Sequence, residues 1–276
     1  LFPYTTLFRS VYNPTTKETI YLKAGDPTDR YFTNVSWSSD EKSIYMFELN
    51  RDQNHAQLMK YNAQTGEKEG MLYEEKHPKY VEPQNPILFL PWDENQFILQ
   101  SQRDGYNHLY VFETTKEGEL TNRQLTSGPW IVKGIVGFNE KAKEVIIMST
   151  EISPLQSNAY AVNVKNGKRR LIGEGEGVHR VQLSHSGKYV IDNYTAHNVA
   201  RNISLLSTQK GKPVNLLSAS HPMEAYNVPE ITLGTIKAAD GKTDLYYRLV
   251  KPVDFDASKK YPAILMCLGG PQGTIS

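Results

Sequence analysis

Four stretches that share one plan decide the fold: SWSSDEKSIY (36–45), LPWDENQFIL (90–99), GFNEKAKEVI (137–146) and QLSHSGKYVI (182–191). Each is predicted to contain the end of one strand, a polar turn and a new apolar strand. The first apolar residues after these turns, Ile44, Phe97, Val145 and Tyr189, are separated by 53, 48 and 44 residues. A repeat of roughly 40 to 50 residues built from short strands is typical of a β-propeller.

Two further strands are predicted to complete each repeat. The third strands fall at 57–61, 108–112, 158–162 and 202–206. Turns that contain Gly66, Gly118, Gly167 and Gly211 follow, and Gly is common where a hairpin needs positive φ. No long segment has an uninterrupted helical period. We therefore predict an all-β fold of about four four-stranded blades over residues 11–225, with an open propeller edge that is a liability for aggregation.

The pattern changes after about residue 220. Residues 230–237 and 244–250 read as a hairpin around the turn 239–241. The apolar run 261–268 then meets Gly269-Gly-Pro271, as a buried strand does when it enters an α/β sheet. We predict that a second domain begins here, over residues 226–276.

Composition excludes several function classes. Lys and Arg number 31 against 30 Asp and Glu, without a basic stripe, so we expect no nucleic-acid partner. The apolar runs are far shorter than the roughly 20 residues that cross a bilayer, so we expect no membrane segment. Cys267 is the only cysteine, which excludes an internal disulfide. The seven His residues form no HExxH motif, so we expect no metal site.

Both ends of the chain are predicted to be truncation points within a longer protein. Within residues 1–10, LFPYTTLFRS, the stretch 3–10 matches the translation of a widely used sequencing adapter, and we treat residues 1–10 as an artefact. We therefore expect the true N-terminus, with any targeting signal, upstream. The chain stops at Ser276, shortly after the predicted strand 261–268, so we expect more of the second domain downstream.

Four segments carry a family resemblance. Asp254–Pro271 resembles the opening of the hydrolase domain in prolyl oligopeptidase relatives, with dipeptidyl peptidase IV as the nearest branch. Three further segments are similar to recurring sequence motifs of that family's propeller and occur in the same order: Ser101–Tyr110, Leu125–Gly134 and Met148–Pro154. Together the four segments span most of residues 30–271.

The resemblance implies an eight-bladed propeller that caps an α/β-hydrolase domain. It implies a serine exopeptidase that releases N-terminal dipeptides or tripeptides, often after Pro or Ala, without a cofactor. It also implies peptide substrates, a homodimer as full-length protein, and a periplasmic or extracellular location. The nucleophile of this fold lies in a Gly-x-Ser-x-Gly elbow, followed by Asp and His. This sequence contains no such pentapeptide, so we expect the triad beyond Ser276 and predict that the fragment is inactive.

The resemblance assigns Leu268, Gly269 and Gly270 to the oxyanion loop. Family members commonly have Tyr where this sequence has Leu268, and leucine cannot donate a hydrogen bond. Loss of one oxyanion donor costs about 10²–10³ in rate. Either another donor substitutes for it or catalysis is weaker.

Several tempting motifs have simpler interpretations. We interpret Glu74 and Glu75 as a solvated strand end and expect the family's substrate-binding glutamate pair upstream of Val11. Gly173–Gly177 carries two acids that would repel phosphate, so it is predicted to be an inter-blade loop. Tyr106 and Trp130 are predicted to pack within the blades.

Two other functions stay open. One is a non-catalytic propeller that binds proteins or peptides, since propellers serve both roles. The other is an endopeptidase or acylaminoacyl-peptidase relative. A downstream triad would exclude the first, and an upstream glutamate pair would exclude the second.

Overall fold

The structure, a computed structural model, describes residues 9–26, 28–174 and 176–266. Within these ranges it contains twenty strands and no helix, which confirms the all-β prediction. None of the described residues therefore forms a helix with the length and apolar character required to span a bilayer.

The strands form four four-stranded sheets flanked by two hairpins. The first hairpin contains β1 (Ser10–Tyr12) and β2 (Thr19–Tyr21). Blade 1 contains β3 (Arg30–Trp37), β4 (Ser43–Asn50), β5 (His55–Asn62) and β6 (Lys68–Lys76). Blade 2 contains β7 (Leu88–Leu90), β8 (Asp93–Ser101), β9 (His108–Thr114) and β10 (Leu120–Gln124). Blade 3 contains β11 (Val132–Asn139), β12 (Glu144–Ser149), β13 (Asn158–Asn163) and β14 (Arg169–Ile172). Blade 4 contains β15 (Val178–Leu183), β16 (Tyr189–Ala196), β17 (Val199–Ser207) and β18 (Val214–Ala219). The last hairpin contains β19 (Ile231–Lys237) and β20 (Asp244–Val250).

Each blade is an antiparallel meander in which strands adjacent in sequence are adjacent in the sheet. The second strands of blades 1, 2 and 3 each contain an apolar run without alternation, because both faces of the sheet are covered along that run. In β4, Ile44 and Met46 join the cluster that includes Met59 and Tyr61, whereas Tyr45 and Phe47 join the cluster shared with blade 2.

The core therefore lies between the blades rather than within one of them. In β12, Val145 and Ile147 pack with Ile98 of blade 2, while Ile146 packs with Val190 of blade 4. Ile98 is almost fully buried. Burial of such a side chain contributes about 1.5–3 kcal/mol. The order of the blades along the chain is thus also the order in which they pack.

Three of the four predicted glycine turns adopt left-handed backbone. Gly66, Gly118 and Gly167 have φ of 72°, 84° and 70°. Gly211 does not have positive φ, so the prediction is wrong at that turn. A β-bulge between Ile203 and Ser204 shifts the register of β17 against β18 before this turn.

The structure confirms the hairpin predicted near residue 240, as β19 and β20. The buried strand predicted over 261–268 is wrong for its described part, residues 261–266, which form no strand. Ile264 is 93% exposed and Leu265 is 87% exposed. A strand requires a neighbour for its backbone groups, and no described strand pairs with this run. The change of pattern at residue 225 falls between β18 and β19.

Candidate functional site

The three segments that resemble propeller motifs of the family are separated in sequence but contact one another in the structure. Ser101–Tyr110 contains the loop between β8 and β9, Leu125–Gly134 joins blade 2 to blade 3, and Met148–Pro154 enters the loop between β12 and β13. We call these three segments the inter-blade loops because they contact one another at the junction of blades 2 and 3, although two of them connect strands of a single blade.

Paired hydrogen bonds join the inter-blade loops. The backbone N–H of Val132 donates to the carbonyl of Asn107 at 2.8 Å, and the Asn107 Nδ2 donates to the carbonyl of Val132 at 2.7 Å. The N–H of Ile131 donates to the Thr150 Oγ1 at 3.1 Å, and the N–H of Thr150 donates to the carbonyl of Ile131 at 3.1 Å. Two bonds at each junction fix the relative positions of the segments.

His108 organises the middle of the inter-blade loops. This fully buried imidazole lies 2.9 Å from the Gly128 carbonyl through Nε2 and 3.1 Å from the Thr126 Oγ1 through Nδ1. A carbonyl only accepts, so Nε2 carries the proton when the ring is neutral and Nδ1 accepts from the Thr126 hydroxyl. Trp130 packs edge-on to the ring with centroids 4.6 Å apart. The packing prediction is confirmed for the buried Trp130 but wrong for Tyr106, which is 43% exposed.

A cleft of about 160 Å³ lies where blade 1 meets the first inter-blade loop. One part of its wall comes from the link between β6 and β7, including His77 and Tyr80. Another part comes from the end of β8, with Ser101, and from the loop after it, with Arg103. Apolar side chains such as Leu99 complete the lining. The cleft therefore combines charged, polar and apolar surfaces within a space suited to a few side chains of a ligand.

Arg103 is oriented by three side-chain contacts beside this cleft. Its guanidinium lies 3.6 Å from the centroid of the Tyr110 ring. Nη1 donates to the Tyr73 hydroxyl at 3.2 Å, and Nη2 donates to the Asn122 Oδ1 at 2.7 Å. Because guanidinium donors have a fixed planar arrangement, these contacts set its orientation.

A hydrogen-bonded chain connects Arg103 to blade 1. The Ser101 hydroxyl donates to the Glu75 Oε2 at 2.7 Å, and the Tyr73 hydroxyl donates to the same oxygen at 3.0 Å. The Arg103 N–H donates to the Ser101 Oγ at 3.1 Å. Burial, followed by the Glu75 charge, raises the pKa of Tyr73 to about 12.

The two adjacent glutamates thus have different surroundings. Glu74 is exposed and contacts His55 and Lys76, so its assignment to a solvated strand end is confirmed. For Glu75 that assignment is wrong, because its carboxylate is partly buried and accepts two hydroxyl hydrogen bonds. Successive strand residues point to opposite faces, and only the Glu75 face is covered by blade 2.

The hydrogen-bond partners of Ser101 and His77 show how these two side chains are used at the cleft. The Ser101 hydroxyl faces Glu75 and the Arg103 backbone, with no histidine base among the partners seen in the described structure. His77 instead accepts from the N–H groups of Lys79 and Tyr80 through Nδ1. Among the residues that the structure describes, no group of three His, Cys, Asp or Glu could hold a metal.

The remaining predicted positions are dispersed. Leu268, Gly269 and Gly270 lie outside the described residues. β14 ends at Ile172 and β15 begins at Val178, so the described residues of 173–177 lie in the link between blades 3 and 4, as predicted. Sequence reasoning did not single out Arg103, and it considered Glu75 only as part of a solvated strand end. The feature of the sequence that could have identified Arg103 is its position within Ser101–Tyr110, the first segment that resembles a propeller motif of the family.

The comparisons with known proteins agree on one family. A sequence model of the dipeptidyl peptidase IV N-terminal region matches residues 3–201. Mouse dipeptidyl peptidase 8 is 26% identical over 88% of this chain and 33% of its own length. An Emericella nidulans protein described as a probable dipeptidyl peptidase 4 is 24% identical over 93% of this chain and 34% of its own length. The chain thus spans about a third of the length of these curated relatives.

Solved structures give the same result. A crystal structure of a candidate dipeptidyl aminopeptidase IV from Bacteroides ovatus is 53% identical, with a TM-score of 0.83, and covers 92% of this chain and 38% of its own. Porphyromonas gingivalis dipeptidyl peptidase 4 is 22% identical, with a TM-score of 0.79, and covers 92% of this chain and 36% of its own. The second likeness supports the fold alone.

Proposed function

This chain belongs to the dipeptidyl peptidase IV N-terminal region family, and from that premise we propose that it is the propeller-containing part of a serine exopeptidase. The proposed enzyme releases dipeptides or tripeptides from the N-termini of peptides. The observation that carries the proposal is the match of the family model to residues 3–201, supported by the Bacteroides ovatus structure at 53% identity. The resemblance further favours a homodimer for the full-length protein.

We propose that the cleft beside Arg103 contacts part of the peptide substrate. Lys76 and Arg103 contribute positive charge to its lining, while Glu75 and Glu82 contribute negative charge. A short peptide has both charges and apolar side chains, which this mixed surface complements. The propeller would thereby restrict access and position the substrate.

We further propose that residues 226–276 begin an α/β-hydrolase domain. The hairpin of β19 and β20, followed by the resemblance of residues 254–271, supports this assignment. The triad would then lie in the continuation of the reading frame, as would any donor that compensates for Leu268. Catalysis would be acyl transfer to a serine activated by histidine and aspartate.

The test is to determine the continuous reading frame of the source gene, express the full-length protein and measure hydrolysis of a Gly-Pro reporter peptide. We expect hydrolysis by the full-length protein and none by the 276-residue chain. Replacement of the elbow serine by alanine should abolish the activity. A reading frame without a Gly-x-Ser-x-Gly elbow would contradict the proposal and favour the non-catalytic binding module.

A second arm of this experiment examines the cleft in the full-length protein. Arg103→Ala removes the stacking on Tyr110 and is expected to raise KM about tenfold, a loss of about 1.4 kcal/mol, with little change in kcat. Lys116→Ala, an exposed substitution in the turn before β10, serves as the matched control. An Arg103→Ala enzyme with unchanged KM would exclude the cleft from substrate binding without affecting the assignment as an exopeptidase.

A further inference from the structure

Asn166 and Gly167 form the only Asn-Gly pair in the sequence. In such a pair the backbone nitrogen of the glycine can attack the Cγ of the asparagine, because no Cβ on the glycine hinders the approach. Asn166 is exposed to solvent in the turn between β13 and β14. The chain thus contains one position where spontaneous deamidation is chemically favoured.

The folded turn engages the nitrogen that would attack. The N–H of Gly167 donates to the carbonyl of Asn163 at 2.8 Å. The N–H of Lys168 donates to the Asn166 Oδ1 at 2.9 Å. With Gly167 at a φ of 70°, these bonds hold the backbone in one left-handed arrangement. The Gly167 nitrogen must leave its bond to Asn163 before it can approach the Asn166 Cγ.

Residues of blade 2 also contact this turn and stabilise its closed conformation. The Arg123 Nη2 donates a hydrogen bond to the carbonyl of Val164, within the turn. A Cβ added to Gly167 would lie 2.7 Å from the Leu125 carbonyl oxygen, so the two backbones are closely packed. Opening of the turn therefore also requires loss of a contact between blades 2 and 3.

We propose that Asn166 is a deamidation site that reacts only when this turn opens. In the open turn the Gly167 nitrogen loses its proton to solvent and forms a bond to the Asn166 Cγ. The side-chain nitrogen takes up a proton from solvent, its bond to Cγ breaks, ammonia leaves, and a succinimide results. Water then opens the ring to aspartate or isoaspartate. The isoaspartate product adds a methylene to the backbone, which displaces Gly167 from Leu125 and weakens the contact between the blades.

The test compares deamidation of the folded protein with that of the same protein in urea, by mass-spectrometric peptide mapping at mildly alkaline pH. We expect the folded protein to react at least about tenfold more slowly, because local opening limits the reaction. Equal rates would overturn the protection by the turn. Absence of product in urea would overturn the site itself.

Two variants sharpen the result. Arg123→Ala removes the external hydrogen bond and is expected to accelerate deamidation of the folded protein without changing the rate in urea. An unchanged folded rate would exclude the role of blade 2. Asn166→Thr should abolish the product while keeping the turn, since Thr65 precedes Gly66 in the corresponding turn of blade 1, where the Gly66 N–H donates to the Asn62 carbonyl at 2.9 Å. Persistence of the product in Asn166→Thr would place the reaction elsewhere and overturn the assignment.

Discussion

The Tyr73 hydroxyl lies between the guanidinium of Arg103 and the carboxylate of Glu75. Its pKa is raised to about 12, first by burial and then by the Glu75 charge. A folded-state pKa above the ordinary value of about 10 means that the stabilising contribution is complete below pH 10. It is lost as the pH rises from about 10 to about 12, because the folded state resists loss of the proton that the unfolded state releases.

We therefore expect Tyr73→Phe to lose less unfolding free energy than the wild-type protein across this alkaline range. Denaturant unfolding at a series of pH values measures the difference. Glu75→Gln, which removes the nearby charge, should move the Tyr73 transition to lower pH. Identical alkaline profiles for the wild-type protein and Tyr73→Phe would show that the hydroxyl is not held in this environment.

Single residues also show the limit of reasoning from sequence. Glu74 and Glu75 are chemically identical neighbours, and their different surroundings depend on which face blade 2 covers. Tyr106 and Trp130 are both aromatic residues of the inter-blade loops, yet only Trp130 has a neighbour such as His108 to pack against. Composition indicates that aromatic residues fill the blades, whereas tertiary contacts decide which of them are buried.

At the scale of elements, the turn before the fourth strand packs against the preceding hairpin in blade 1 but, in blade 2, has no such neighbour among the described residues. Gly66 has a φ of 72°, and a Cβ there would overlap the carbonyl oxygen of Tyr21. The N–H of Lys23 also donates to the Gly66 carbonyl at 2.7 Å. Gly118 occupies the corresponding turn of blade 2 with a φ of 84°, but a Cβ on it would meet nothing within 4 Å.

This contrast predicts different costs for the same substitution. Gly118→Ala should lose about 1–2 kcal/mol of unfolding free energy, because alanine disfavours the left-handed region. Gly66→Ala should lose about 1–3 kcal/mol more than Gly118→Ala, because its Cβ also displaces the neighbouring hairpin. Denaturant unfolding of the two variants measures the difference. Equal losses would mean that the hairpin of β1 and β2 moves away without cost.

The sequence predicted elements well where their signals are local. The repeats at Ile44, Phe97, Val145 and Tyr189 predicted the second strands because apolar runs between polar turns do not depend on distant partners. The run 261–266 failed for the opposite reason, since a buried strand needs neighbours that the described structure does not provide. The hairpin of β1 and β2 was missed because Lys17, at a φ of 60°, replaces the glycine that signals such turns elsewhere.

On the scale of the whole molecule, the apolar clusters divide the core into layers between consecutive blades. One cluster joins blades 1 and 2, another joins blades 2 and 3, and a third joins blades 3 and 4. The stability of stacked repeats is approximately a sum of contributions from each unit and from each interface between neighbours. Damage to one interface should therefore weaken the two blades that share it more than the others.

Ile146 and Ile147 in β12 allow this to be tested with one chemical change. Both side chains are fully buried, but Ile147 faces the cluster shared with blade 2, and Ile146 faces the cluster shared with blade 4. Truncation of either to alanine should cost about 2–5 kcal/mol through lost contacts and a cavity. The two variants are therefore matched in sequence position, burial and chemistry and differ in the interface that they damage.

Amide hydrogen exchange measured by mass spectrometry distinguishes the two interfaces. Ile147→Ala should accelerate exchange in β8 and β9 of blade 2, and Ile146→Ala should accelerate it in β16 and β17 of blade 4. In both variants β12 itself should exchange faster, whereas β4 and β5 of blade 1 should change least. If both variants gave the same exchange pattern across all blades, the four blades would open as one cooperative unit, and the interfaces would not contribute separately to stability.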